Sequence, residues 1–139
     1  MAANPQFATS PQTRIITVNN STGGSRTSAT ANSFLLITGT NSVGFAGTKV
    51  TQIGGKYSNS NPASLVYIYL TDTSGSSASA YLYDELTFTS TTPSTTAVSA
   101  RVINTYTDLQ LSPGQSIFVS SSLNASTQSI NVWASAGDF

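Results

Sequence analysis

The chain has 139 residues, with 5 Lys+Arg against 5 Asp+Glu, so its formal net charge is zero and only 7% of its residues are charged. That balance argues against nucleic acid and anionic membranes as partners, since both call for a surplus of cations. There is no Cys and no His, which removes disulfides, thiolate chemistry, the usual general base and the commonest metal ligand.

The length fits one domain with one core. No apolar run approaches the roughly 18 residues of a transmembrane helix. The opening "MAANPQFATSPQT" lacks the basic and apolar regions of a secretory signal, so synthesis in a cytoplasm is expected. Ser and Thr fill the surface, and a near-neutral surface of this kind suits self-association.

In chain order, residues 1–13 contain Pro5 and Pro11, show no periodicity and read as an extended arm with Phe7 as its one large apolar side chain. Residues 14–139 then read as a single domain. Strands are predicted at 14–18 ("RIITV"), 33–38 ("SFLLIT"), 48–57 ("TKVTQIGGKY") and 64–71 ("SLVYIYLT"). Further strands are predicted at 79–89, 97–107, 116–121 and 129–135. Loops rich in Gly, Ser, Thr and Asn separate them. Pro113-Gly114 fits a type II turn. Eight short strands with this punctuation predict an all-β, two-sheet β-sandwich, with a jelly roll favoured over a fibronectin-like sandwich. The apolar runs are regular and the hydrophobic fraction is 38%, so a core forms despite the Ser/Thr content.

Few residues offer chemistry. The acids are Asp72, Asp84, Glu85, Asp108 and Asp138. Asp84 and Glu85 are adjacent, and neighbours on a strand point to opposite faces, so they make no catalytic pair. "TDTSGSS" offers one carboxylate, too few for calcium. No Ser has a His to activate it. The expectation is no enzyme, no catalytic residues, no cofactor and no metal. "QIGGKY" matches no phosphate loop, and Gly54-Gly55 reads as a bulge or bend. The triplets at Asn19, Asn20 and Asn124 follow from Ser/Thr abundance and carry no weight without a signal peptide.

The aromatic hairpin stands out. A turn centred on Gly75 would set Tyr69 opposite Tyr81 and Tyr67 opposite Tyr83, with all four on one face. Such a row could be one side of the core, a protein interface or a sugar platform. A one-residue slip would split it. At the other end, "SINVWASAGDF" alternates with Ile130, Val132 and Ala134 on one face and Asn131, Trp133 and Ser135 on the other. It finishes on Asp138 and Phe139, which either dock on a neighbouring subunit or fold back onto their own domain.

Asn4, Pro5, Phe7, Ala8 and Pro11 at the start, with Gly137, Asp138 and Phe139 at the end, resemble a group of small tailed-bacteriophage proteins. These begin with an Asn-Pro-x-Phe-Ala-x-x-Pro arm and end in Gly-Asp plus an aromatic residue. "VYIYLTDTSGSSASAYLYDELTFTSTTPSTTAVSARV" and "LQLSPGQSIFVSSS" are similar to that group's middle. Residues 19–50 depart from it, being more polar. The resemblance implies a virion protein on the capsid surface, a decoration (cement) subunit that bridges major capsid proteins. The partner expected is the major capsid protein. A homo-oligomer is expected too, with a trimer preferred because closed rings suit a shell's local symmetry. The other reading is a carbohydrate- or receptor-binding sandwich of a head or tail fibre, with a glycan as ligand. The interface candidates are Phe7, Tyr67, Tyr69, Tyr81, Tyr83, Trp133, Asp138 and Phe139.

Overall fold

In the computed structural model, residues 10–19, 24–27, 29, 33–122 and 129–139 are described. The strands are β1 (Ser10–Val18), β2 (Phe34–Thr38), β3 (Thr48–Tyr57), β4 (Ser64–Leu70) and β5 (Tyr81–Phe88). They continue with β6 (Arg101–Thr105), β7 (Gln110–Leu111), β8 (Ser116–Ser121) and β9 (Ile130–Asp138). One sheet runs β1-β9-β3-β6, with β7 also on β3, and the other runs β2-β8-β4-β5. With the two-residue β7 set aside, this is the strand order of a jelly roll, two Greek keys folded into two antiparallel sheets. The all-β sandwich expected from the spacing is the fold observed.

Alternation explains the packing. Inward phases supply Val50, Ile53, Val66, Ile68, Leu86, Ile117, Val119, Val132 and Ala134, each essentially inaccessible to solvent. Tyr57 and Phe88 meet edge-to-face across the core with centroids 5.2 Å apart. Where the Tyr57 hydroxyl reaches the core margin, it bonds the Ser64 hydroxyl at 2.6 Å, so its polar end is satisfied.

Several boundaries differ from the sequence reading. β1 begins at Ser10, because residues 10–13 pair with residues 135–138 of β9. The strand therefore takes four residues assigned to the arm. Phe7, and the rest of that arm, lie outside the described residues. β9 runs three residues beyond its predicted end, because β1 and β3 flank it on both sides as far as Asp138. β7 is added: Leu111 is fully buried, and "QL" pairs with Thr48 and Lys49.

Gly54 and Gly55 mark no bulge. They pair in regular register with Trp133 and Val132 on one side and Ile103 and Val102 on the other, and the register shift in β3 falls between Val50 and Gln52. They are small because rings cover both faces. A Cβ at Gly54 would sit 2.4 Å from the Trp133 ring, and one at Gly55 2.9 Å from Phe88.

The predicted turn at 112–115 is present. The Gln115 N–H donates to the Ser112 carbonyl at 3.0 Å, and Gly114 takes φ +84°, as a type II turn requires. Gly75 also has positive φ, and a Cβ there would lie 2.6 Å from the Gly114 carbonyl, so these two turns pack together at one end of the sandwich.

Candidate functional site

The tyrosine row is split. Tyr69 pairs with Leu82 and Tyr67 with Glu85, and a bulge between the two pairs leaves Tyr83 as the extra residue of β5. The connection is longer than a tight turn on Gly75. Asp72 organises it by accepting from the Ser74 N–H at 2.9 Å, from the Ser79 hydroxyl at 2.8 Å and from the Ser74 hydroxyl, and a 3₁₀ turn follows at Ser77–Ser79. Tyr67 and Tyr69 are buried with Ala29, against Leu65, Ala80 and Phe118, whereas Tyr81 is 75% exposed and Tyr83 45% exposed. The expectation that all four share one face is therefore corrected: two are covered and two are wet.

Residues 24–27, together with Ala29, cover the first pair. The Tyr69 hydroxyl donates to the Ser25 carbonyl at 2.5 Å and bonds the Ser120 hydroxyl at 2.9 Å. Burial raises its pKa above the ordinary phenol value. Arg26 grips Glu85 with two bonds, 2.6 and 3.3 Å, and its guanidinium lies 5.8 Å from the centre of the Tyr67 ring.

The sandwich has two flanks, and they differ. At one, β5 and β6 are latched by Asp84. Its carboxylate accepts from the Tyr106 hydroxyl at 2.7 Å, from the Asn104 amide at 2.8 Å and from the Glu85 N–H at 2.8 Å. Burial pushes the Asp84 carboxyl up, but these donors outweigh it and hold it below its ordinary value. Burial, together with the adjacent carboxylate, pushes the Tyr106 phenol well above its usual range. The Tyr83 ring stands 5.9 Å from that of Tyr106. At the other flank, β1 and β2 end their sheets opposite each other and border a cleft of about 390 Å³ lined by Ile15, Ile16, Leu35, Leu36, Ile37 and Arg14.

Asp138 and Phe139 are built into their own domain. Asp138 Oδ1 accepts from the Thr48 hydroxyl at 2.6 Å and from the Gln12 amide at 3.0 Å. The Phe139 N–H donates to the Gly47 carbonyl at 3.2 Å, and its carbonyl accepts from the Ala46 N–H at 2.6 Å.

Trp133 lies on the outward phase of β9, as its alternation predicts, and is half-buried. Its neighbours on that face are set by register: Ile15 on β1, Gly54 on β3 and Ile103 on β6. Ile15 is 67% exposed. The Arg101 guanidinium lies 5.7 Å from the indole centre, and Lys56 and Asn131 pair alongside it. Thr17 bonds Asn131 at 2.9 Å and Gln52 bonds Ser135 at 3.3 Å, so polar side chains frame the apolar centre. Sequence reasoning found Trp133 but missed Ile15 and Ile103. The signal was there: "RIITV" and "RVINTYT" each hold two adjacent apolar residues, and on a strand one of each pair must face out.

Among the described residues no group of three or more Asp or Glu side chains is placed to hold a metal ion. No protein-family model matches the chain, and no curated protein matches it. Among solved structures, a chain of the cyanophage Pam1 capsid asymmetric unit is similar over 99% of this chain and 92% of that chain, with 16% sequence identity and a TM-score of 0.43.

Proposed function

We propose that this chain is a structural protein of a tailed-phage virion, a decoration subunit that sits on the head and bridges major capsid proteins. It acts by contact area and hydrogen bonds and performs no chemistry. One observation carries the reading. The two short segments that resemble small phage virion proteins lie at opposite ends of the sequence, yet Pro11 of the first pairs with Gly137 of the second, and Gln12, next to Pro11, bonds Asp138. Of the N-terminal motif the described residues include Pro11, and it sits on the β1–β9 pair directly across from Gly137 of the C-terminal one. The β1–β2 flank supports the same reading, since among the described residues both are edge strands, which accept an added strand from another chain. A trimer at threefold positions is the arrangement proposed.

The test is native mass by light scattering over a range of concentrations, followed by binding to empty heads and the melting temperature of those heads with and without the protein. A stable ring that binds heads and raises their melting temperature supports the proposal. A monomer that leaves heads unbound overturns it.

A second reading has one observation in its favour. Tyr83 and Tyr106 pack with tilted rings beside Asp84 and Asn104, and Tyr83 is accessible, a small aromatic and polar constellation of the kind that takes a sugar ring. Strong binding on a glycan array that Tyr83→Ala abolishes would favour a receptor-binding module.

A further inference from the structure

We infer that the outward face of the five-stranded sheet, centred on Trp133, is the surface that docks on the phage head, and that it meets a protein surface carrying carboxylates. This deepens the virion reading and rests on it.

The face has the layout of a protein contact. Its centre is apolar and crosses all four main strands: Ile15 on β1, Trp133 on β9, Gly54 on β3 and Ile103 on β6. Thr17, Asn131, Gln52 and Ser135 make a polar rim. An apolar centre with a polar rim is the common arrangement of protein interfaces, and Trp and Arg are the residues most often found at their energetic centres. The indole is also held in place. Gly54 lets it lie close against the sheet, and Arg101 stacks on it, so little side-chain freedom is lost on docking.

Charge specifies the occupant. Of the chain's five cations, Arg26 pairs with Glu85 on the other sheet. Of the remaining four, Lys49, Lys56 and Arg101 lie on the Trp133 phase of this sheet, while Arg14 of β1 pairs with inward-facing Ala134. Lys56 and Arg101 are cross-strand partners next to Trp133, and among the described residues neither pairs with a carboxylate. Two copies apposed through this face would bring those cations together, which is unfavourable. A partner surface with Asp or Glu opposite Lys56 and Arg101 completes it. The four-stranded sheet lacks these features, because the segment holding Ala29, Ser25 and Arg26 covers its tyrosines.

The experiment is co-sedimentation with empty heads assembled from the major capsid protein of the same phage. It uses the full-length protein, Trp133→Ser, and the double variant Lys56→Glu/Arg101→Glu. Circular dichroism melts verify that each variant is folded. None of the three substituted side chains belongs to the core, so the double variant stays informative if Trp133→Ser folds poorly. The native protein is expected to bind, with affinity falling as salt rises from roughly 50 to 500 mM. Each variant is expected to bind at least about tenfold more weakly. Variants that bind as well as the native protein, or native binding indifferent to salt, overturn the inference and leave the virion reading standing. Failure of the native protein to bind heads overturns the virion reading itself. A change in native mass of the isolated double variant makes the face a contact between copies, which also overturns the inference.

Discussion

The indole of Trp133 lies across Gly54 on the neighbouring strand, so close that a methyl group at Gly54 would come within 2.4 Å of it. Gly54→Ala should therefore displace the ring and destabilise the domain by roughly 1–3 kcal/mol. Trp133 is the only tryptophan, so its emission reports the displacement directly. In a Trp133→Ala background the same substitution should be neutral or stabilising, because the clash is gone and Ala suits a strand better than Gly. Equal destabilisation in both backgrounds would refute the contact.

The Asp84 latch gives the protein a defined acid sensitivity. Tyr106→Phe removes one hydrogen bond to a carboxylate and should cost about 1.5–3 kcal/mol at neutral pH. The folded pKa of Asp84 is depressed, so its stabilising contribution is complete above its unfolded value of about 3.9 and is lost as pH falls through the lower folded value. Urea unfolding from pH 7 down to about pH 2.5 should show a steeper stability loss for the native protein than for Asp84→Asn. Parallel curves would mean that Asp84 is not the group responsible.

The split of the tyrosines predicts unequal mutational effects. Tyr69→Phe leaves the buried Ser120 hydroxyl without its phenol partner and should cost about 1–3 kcal/mol. Tyr81→Ala, at a site 75% exposed, should stay within about 0.5 kcal/mol. Denaturant midpoints of the two variants test the β4–β5 register. A tight hairpin with four tyrosines on one face would make the two substitutions equivalent.

Gly114 and Gly44 both have positive φ, yet their surroundings differ. A Cβ at Gly114 would sit 2.9 Å from the Thr73 carbonyl, while one at Gly44 would meet nothing within 4 Å. Gly44→Ala should cost only the conformational strain, roughly 1 kcal/mol, and Gly114→Ala clearly more. Thermal melts of the two variants make the comparison. The reverse order would argue against the packing of the 72–75 and 112–115 turns.

Much of this architecture was legible along the chain. Period-two alternation located eight of the strands and assigned Trp133 to the face opposite Ile130, Val132 and Ala134. Pro113-Gly114 announced its turn. These are local properties: a pleated backbone sets its side chains alternately, and one dipeptide restricts its own dihedrals. What stayed hidden depends on residues far apart in sequence. Gly54-Gly55 read as a bend until Trp133 and Phe88 were seen to cover its two faces. The tyrosine row broke because β5 bulges at Tyr83, beside an Asp84 carboxylate bonded to Asn104 on β6 of the other sheet and to Tyr106 just beyond it. Four residues of the arm became strand because β9 extends far enough to pair with them. Local patterning alone thus located every strand but β7 and marked the apolar phase of each. Register, and with it which exposed residues share a face, comes from contacts between strands distant in the chain. The side-chain bond from Gln12 to Asp138, across 126 positions, is a choice made by the assembled sheets and not by either strand alone.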